Sequence, residues 1–194
     1  MQLFDMQSLP WFDRKFSFGL SPAMLPFMTE RLEGTIVRLR NKTECVDESV
    51  LAYNLDNKWS IKQNIGHLID VDVISRKRVA EIVSRAPFLS RADIETQDDY
   101  NGMPIWVILD RFNAARRANI DCLLSLSEPE LKMATIHPRL NVPMNAVDLA
   151  WFDAEHDDHH LVRISTILTT IRKSISRSRA TYPGRRQAIN NIDI

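Results

Sequence analysis

The sequence predicts an all-α protein folded as a four-helix bundle, on three observations. Four long stretches carry apolar residues at helical spacing. No run of alternating apolar and polar residues is long enough to read as a convincing strand, and no repeat recurs at a fixed period. Five glycines in 194 residues are too few for a glycine-rich β architecture. A chain of this length buries one sizeable core, so a single domain is expected.

The chain divides into an aromatic N-terminal segment (1–20), a bundle (21–176) and a basic, flexible tail (177–194). Phe4, Trp11, Phe12, Phe16 and Phe18 crowd the first segment, and five exposed rings would form a large apolar patch; the segment is therefore expected to pack on the bundle or on a neighbouring subunit. Ser21 before Pro22 reads as an N-cap with proline at the first helical position, and Pro26 marks a kink or false start. Met28, Leu32, Thr35, Ile36 and Leu39 then form the buried face of the first helix, which runs to about residue 41–44.

After a connection punctuated by Asn54, Asp56 and Asn57, Ser60 and Gln63 form a capping box that opens the second helix. Its seam is Ile61, Ile65, Leu68, Val79, Ile82 and Val83. His67 lies roughly 120° from that seam, on the side of Val71 and Ile74, and by spacing alone it reads as a structural or surface residue. Pro87 closes the helix. The polar run 88–102, with Asp93, Glu95, Asp98 and Asp99, reads as a solvated loop across one end of the bundle.

Pro104 opens a third helix patterned by Ile105, Leu109, Phe112, Leu123 and Leu126 and stopped by Ser127 and Pro129. Arg111, Arg116 and Arg117 on it read as a solvated face in preference to an anion site. Pro138, Asn141 and Pro143 argue against regular structure in the next connection, where His137 either bonds locally or lines a cleft. Pro143 is taken as the start of the fourth helix.

That last helix is the stretch around which the chain is organised. Leu149, Phe152, Ile164, Ile167 and Ile171 form one stripe, with His156 and His160 in its middle. Imidazoles four residues apart share a face and can close on one metal ion. Most such pairs in helices are incidental, but neutral rings on a buried stripe must find partners for their nitrogens, and an ion supplies one. Asp153 and Asp157 lie on the same flank and can accept from the distal N–H of a ligand histidine; a plain solubilising role is equally open. Glu155 and Asp158 point away. After about Ser174 the pattern decays into the tail bearing Arg177, Arg179, Arg185 and Arg186.

Charge excludes some classes of function. The 25 basic and 25 acidic residues balance, which leaves no electrostatic case for nucleic acid or a membrane surface. No apolar run reaches the roughly 18 residues of a membrane span, and the N-terminus lacks the basic-then-apolar plan of an export signal, so a cytoplasmic protein is expected. Cys45 and Cys122 stand alone, outside any metal-binding spacing, and read as buried structural thiols.

Several pieces resemble the DinB/YfiT-like superfamily: KWSIKQNIGHLIDVD (58–72) its second-helix opening, and AEHDDHHLVRI (154–164) its last-helix motif, supported by WFDRKF, ERLEGT and HPRLNVPMNAVDLAWF. The resemblance implies a bundle in up-down-down-up order, often a homodimer, that binds a divalent ion, zinc or nickel first and iron or manganese next. It places the metal ligands at His67, His156 and His160, and treats His159 as a spacer. Three neutral imidazoles leave open coordination positions, as in a catalytic site. The resemblance further implies a transferase that activates a low-molecular-weight thiol for attack on an electrophilic small molecule. A metal-assisted hydrolase and a non-catalytic, stress-associated metal-binding bundle are the alternatives.

Overall fold

The computed structural model describes residues 8–92 and 98–181, with side chains to residue 177. Four long helices carry the fold: α1 (Leu25–Thr43), α2 (Ile61–Val83), α3 (Ile105–Leu124) and α4 (Ala146–Thr181). Single helical turns at Glu48–Leu51 and Glu128–Leu131 interrupt two of the connections.

Side chains satisfy the first N–H groups of α2, of α4 and of the 3-10 turn that leads into α1. Ser21 caps a short 3-10 turn, Pro22–Met24, from which α1 departs at Leu25; the two prolines thus shape the entry rather than kink the helix. Ser60 Oγ accepts from Gln63 N while Gln63 Oε1 accepts from Ser60 N, completing the expected capping box on α2. α4 starts three residues later than Pro143 suggested. Asn145 Oδ1 accepts from Asp148 N and Asp148 Oδ2 from Asn145 N, a reciprocal cap that sets the start at Ala146.

Paired side chains give the helix directions. Residues 31 to 42 of α1 meet 155 to 165 of α4 in rising order, through Arg31–Glu155, Arg38–Asp158 and Lys42–Ser165, so the two run parallel. Arg40–Asp110 and the Arg116 contact with Leu32 set α3 antiparallel to α1. Lys62 bonds the Met103 carbonyl just before α3, and Asp72 meets Arg116 and Asn119 within it, so α2 is parallel to α3. Asn64–His160 and Ser75–Asp153 set α2 antiparallel to α4. The order is up-down-down-up.

The core lies in two apolar clusters. One gathers Leu32, Val79, Ile82, Leu123, Leu149 and Phe152; the other Leu39, Ile65, Leu68, Phe112, Leu161 and Ile164. Between them, at one level on all four helices, sits a buried polar layer of Thr35, Asp72, Ser75, Arg116, Asn119, Asp153 and Asp157. Arg116, 2% exposed, is therefore not on a solvated face: its Nη1 and Nη2 fork onto Asp157 at 2.6 and 2.9 Å, and its Nε meets Asp72 at 2.9 Å. Helical period alone cannot separate a charge that faces water from one that faces a buried counter-charge.

Other expectations are corrected. The connection before α4 is not irregular: Ala134–Ile136 (β1) and Pro143–Asn145 (β2) pair antiparallel. A three-residue strand is too short to show alternation. α4 does not decay near Ser174 but continues to Thr181, while the side chains of the basic tail beyond Arg177 lie outside the described residues, as do Phe4, Asp93 and Glu95. Cys45 is exposed, with φ of 56° just past the C-cap of α1, and Cys122 is half-buried; both are free thiols. Among the described residues no helix is long and apolar enough to cross a membrane.

Candidate metal centre

The fold brings His67 of α2 against His156 and His160 of α4. Ring centroids lie 5.2 Å apart for His67–His156, 5.1 Å for His67–His160 and 4.5 Å for His156–His160, and one nitrogen from each ring falls within 4.8 Å of the others. His67 stands off the apolar seam of α2 because that seam faces the core, whereas the side it shares with Val71 and Ile74 lines a cavity of about 580 Å³. All three histidines, together with His159, line the same cavity.

Neighbouring elements hold the rings. Trp59, immediately before the cap of α2, packs on His67 at 4.8 Å between centroids and stacks on His160 at 6.3 Å. Trp11, in a 3-10 turn of the aromatic segment, sets its edge against His156 at 4.9 Å while packing on Phe16 and Phe152. Behind His67, the backbone at Gly66 lies against the Tyr100 ring so closely that a Cβ there would sit 2.1 Å from a ring carbon.

Hydrogen bonding settles one tautomer. Asn64 Nδ2 donates to the carbonyls of Trp59 and Ser60, which turns its Oδ1 toward His160 Nδ1 at 2.8 Å. The amide oxygen can only accept, so the His160 proton sits on Nδ1 and its Nε2 carries a lone pair. That Nε2 faces Nε2 of His156 at 3.2 Å. The separation is near the roughly 3.3 Å between two nitrogens that tetrahedral zinc imposes at about 2.05 Å each. Nδ1 of His67 and Nδ1 of His156 are buried without a hydrogen-bond partner among the described residues. The donor set thus has the ligand type and the spacing that a divalent ion requires.

Electrostatics favours the ligand form. Burial brings the His67 pKa down to about 4, with the nearby His159 adding to the effect. Burial first, and the neighbouring imidazoles second, hold His156 and His160 well below the ordinary histidine range. All three rings are neutral at physiological pH, which leaves lone pairs available.

The two carboxylates read as supports for the ligands do other work. Asp153 accepts from Ser75 Oγ, and burial raises its pKa to about 7. Asp157 is taken by Arg116 and by Thr35 Oγ1 at 2.7 Å. A buried guanidinium needs a counter-charge more than a neutral imidazole needs an acceptor, so Asp157 goes to Arg116. The support under His160 is Asn64 instead, one turn before His67, which sequence reasoning overlooked; its place four residues from the Ser60 cap was the available signal. Glu155 and Asp158, which point away from the stripe, bind Arg14, Arg31 and Arg38. His137 does both of the things expected of it: Nδ1 accepts from the backbone of Arg139 and Leu140, and the ring lines the cavity.

None of the curated proteins matches this chain. Among solved structures it is similar to YfiT from Bacillus subtilis, with a TM-score of 0.70 and 17% identity over 81% of this chain and 93% of that one. YfiT is described as a probable metal-dependent hydrolase with an unusual four-helix bundle topology. Residues 31–164, which span α1 to the middle of α4 and include all three histidines, match the family model of the DinB superfamily, and the chain belongs to that superfamily.

Proposed function

We propose that His67, His156 and His160 hold a divalent ion, zinc or nickel, and that this protein is a cytoplasmic metal-dependent transferase that activates a low-molecular-weight thiol for attack on an electrophilic small molecule. The observation that carries the reading is the convergence of three neutral imidazoles on the wall of a cavity, with no fourth histidine, cysteine or carboxylate joining them among the described residues. A structural site is closed by protein ligands; a site with three leaves room for a reactant. The bound ion would lower the pKa of a thiol or water beside it, so that the nucleophile is available at neutral pH.

The chain's own groups supply the rest. Asn64 holds His160 with its Nε2 lone pair turned inward, and Trp59 and Trp11 brace the rings. A cavity of about 580 Å³ is within the range that encloses a small molecule and is roomy enough for a thiol beside its acceptor.

Hydrolysis, with water in place of the thiol, is the second reading, and the likeness to YfiT favours it. Both are tested together. Protein purified without an affinity tag is expected to bind one zinc or nickel per chain, and His156→Ala and His160→Ala to lose it. The loaded protein is then assayed for conjugation with bacillithiol, mycothiol, glutathione and coenzyme A, and for ester and amide hydrolysis without thiol. Turnover that requires thiol and stops on chelation supports the transferase; thiol-independent turnover that stops on chelation supports the hydrolase. Full occupancy with neither activity, and a large fall in Tm on chelation, would leave a metal-binding bundle.

A further inference from the structure

Three arginines line the cavity that the histidines face: Arg78 of α2, Arg91 from the segment after α2, and Arg139 from the turn between β1 and β2. Among the described residues none of them has a carboxylate within ion-pair distance. The other basic residues on the cavity wall are histidines whose pKa burial lowers. Arg78 is 6% exposed, and its Nε and Nη2 both donate to the Ser90 carbonyl, at 3.1 and 3.0 Å, which fixes the fork and leaves Nη1 without a hydrogen bond among the described residues. The Arg139 guanidinium lies 4.9 Å above the Phe12 ring at the mouth.

Between these two charges sits His137, 3% exposed. Because its Nδ1 accepts from the Arg139 and Leu140 amides at 3.3 and 3.2 Å, its proton is on Nε2, and the ring offers a ligand a donor. Burial and the two flanking guanidinium groups bring its pKa down to about 4, so it stays a neutral donor. Burial lowers the Arg78 pKa and Arg139 adds to the effect, while the Asp153 and Glu81 carboxylates oppose it. The carboxyl group that lines the cavity, Asp153, is bonded to Ser75. This wall of the cavity therefore presents donors and positive charge that no carboxylate among the described residues ion-pairs. The remaining walls are apolar, made by Trp11, Trp59, Val71, Ile74 and Phe152.

We infer that the cavity has a second pole, built by Arg78, Arg139 and His137 with Arg91 at its edge, which binds the carboxylate of a small organic acid whose apolar body lies between the arginines and the histidine triad. Fork-shaped donors suit a planar carboxylate, and a desolvated anion bonded to guanidinium gains more than a neutral group in the same place. The inference deepens the proposed function, since it names the substrate class of the same cavity, but the pole is made by residues outside the triad and binds acid whether or not an ion is present.

The test is calorimetric titration of metal-free protein with a panel of straight-chain and phenyl-substituted carboxylic acids, 3-phenylpropionate among them, each against its uncharged amide. The acids are expected to bind about tenfold more tightly than the amides or better, the size of one charge-assisted hydrogen bond. Arg139→Gln and Arg91→Gln, both exposed and safe for folding, should narrow that preference, Arg139→Gln the more, without changing zinc stoichiometry. His160→Ala should keep the preference while losing zinc, so failure of the metal reading is seen separately from failure of this one. Equal binding of acid and amide, no binding of any acid, or a preference that appears only with zinc and vanishes in His160→Ala would overturn the assignment, the last by showing that the acid binds the ion.

Discussion

Asn64 shows how much a single neutral side chain can decide. It is 2% exposed, its amide N–H groups are spent on two carbonyls at the start of α2, and what remains is an acceptor aimed at His160. Fixing the distal N–H of a ligand histidine sets both its tautomer and its angle. Asn64→Leu is expected to lower zinc affinity by about 10- to 100-fold, measured by competition with a chromophoric chelator, with the helix content unchanged. An affinity within twofold of the parent would mean that the ring is oriented by Trp59 packing alone. The position is hard to read in the sequence, because an asparagine in the first turns of a helix is ordinarily explained by capping.

At the level of elements, the start of α2 carries the site's precision. The Ser60–Gln63 box sets where the helix begins, so His67 arrives two turns later at a set height. Gly66 lets the Tyr100 ring close on the other side of that turn, and Tyr100 Oη reaches Asp70 at 3.1 Å. Since a methyl at position 66 would overlap the ring, Gly66→Ala is expected to destabilise by about 1–3 kcal/mol in urea denaturation and to weaken zinc binding by shifting His67. A smaller ring partner, as in Tyr100→Leu, should make the two changes markedly non-additive. The capping box and the histidine pair could be read directly from the sequence, being local patterns within four residues; the partner of Gly66 could not, because Tyr100 lies 34 positions on.

For the whole molecule, the polar layer between the two apolar clusters is the feature that ties four helices into one order. Arg116 of α3 meets Asp72 of α2, Asp157 of α4 and the Leu32 carbonyl of α1, and Asn119 adds a bond to Asp72 at 2.8 Å. Burial pushes the Asp72 carboxyl up to about 6 in spite of Arg116. Arg116→Leu leaves two buried carboxylates without their counter-charge and is expected to cost about 3–5 kcal/mol. Replacing Arg116, Asp72 and Asp157 together by leucine should recover most of that loss, because the desolvation cost leaves with the charges. A triple variant no more stable than Arg116→Leu would show that the layer contributes net stability as well as specifying which helices meet.

The sequence by itself determined the helical class, the start of α2, the buried faces of α1 and α4 and the histidine pair, all of which depend on residues within a turn or two of each other. Family likeness supplied the helix order and the third histidine, which spacing alone ranked as structural. Only the tertiary structure decided that His67 faces the pair, that Asp157 serves Arg116 while Asn64 serves His160, and that three arginines share the triad's cavity. The physical reason is that periodicity reports which side of a helix is apolar, whereas the partner of a buried charge or imidazole is set by which helices adjoin and at what height.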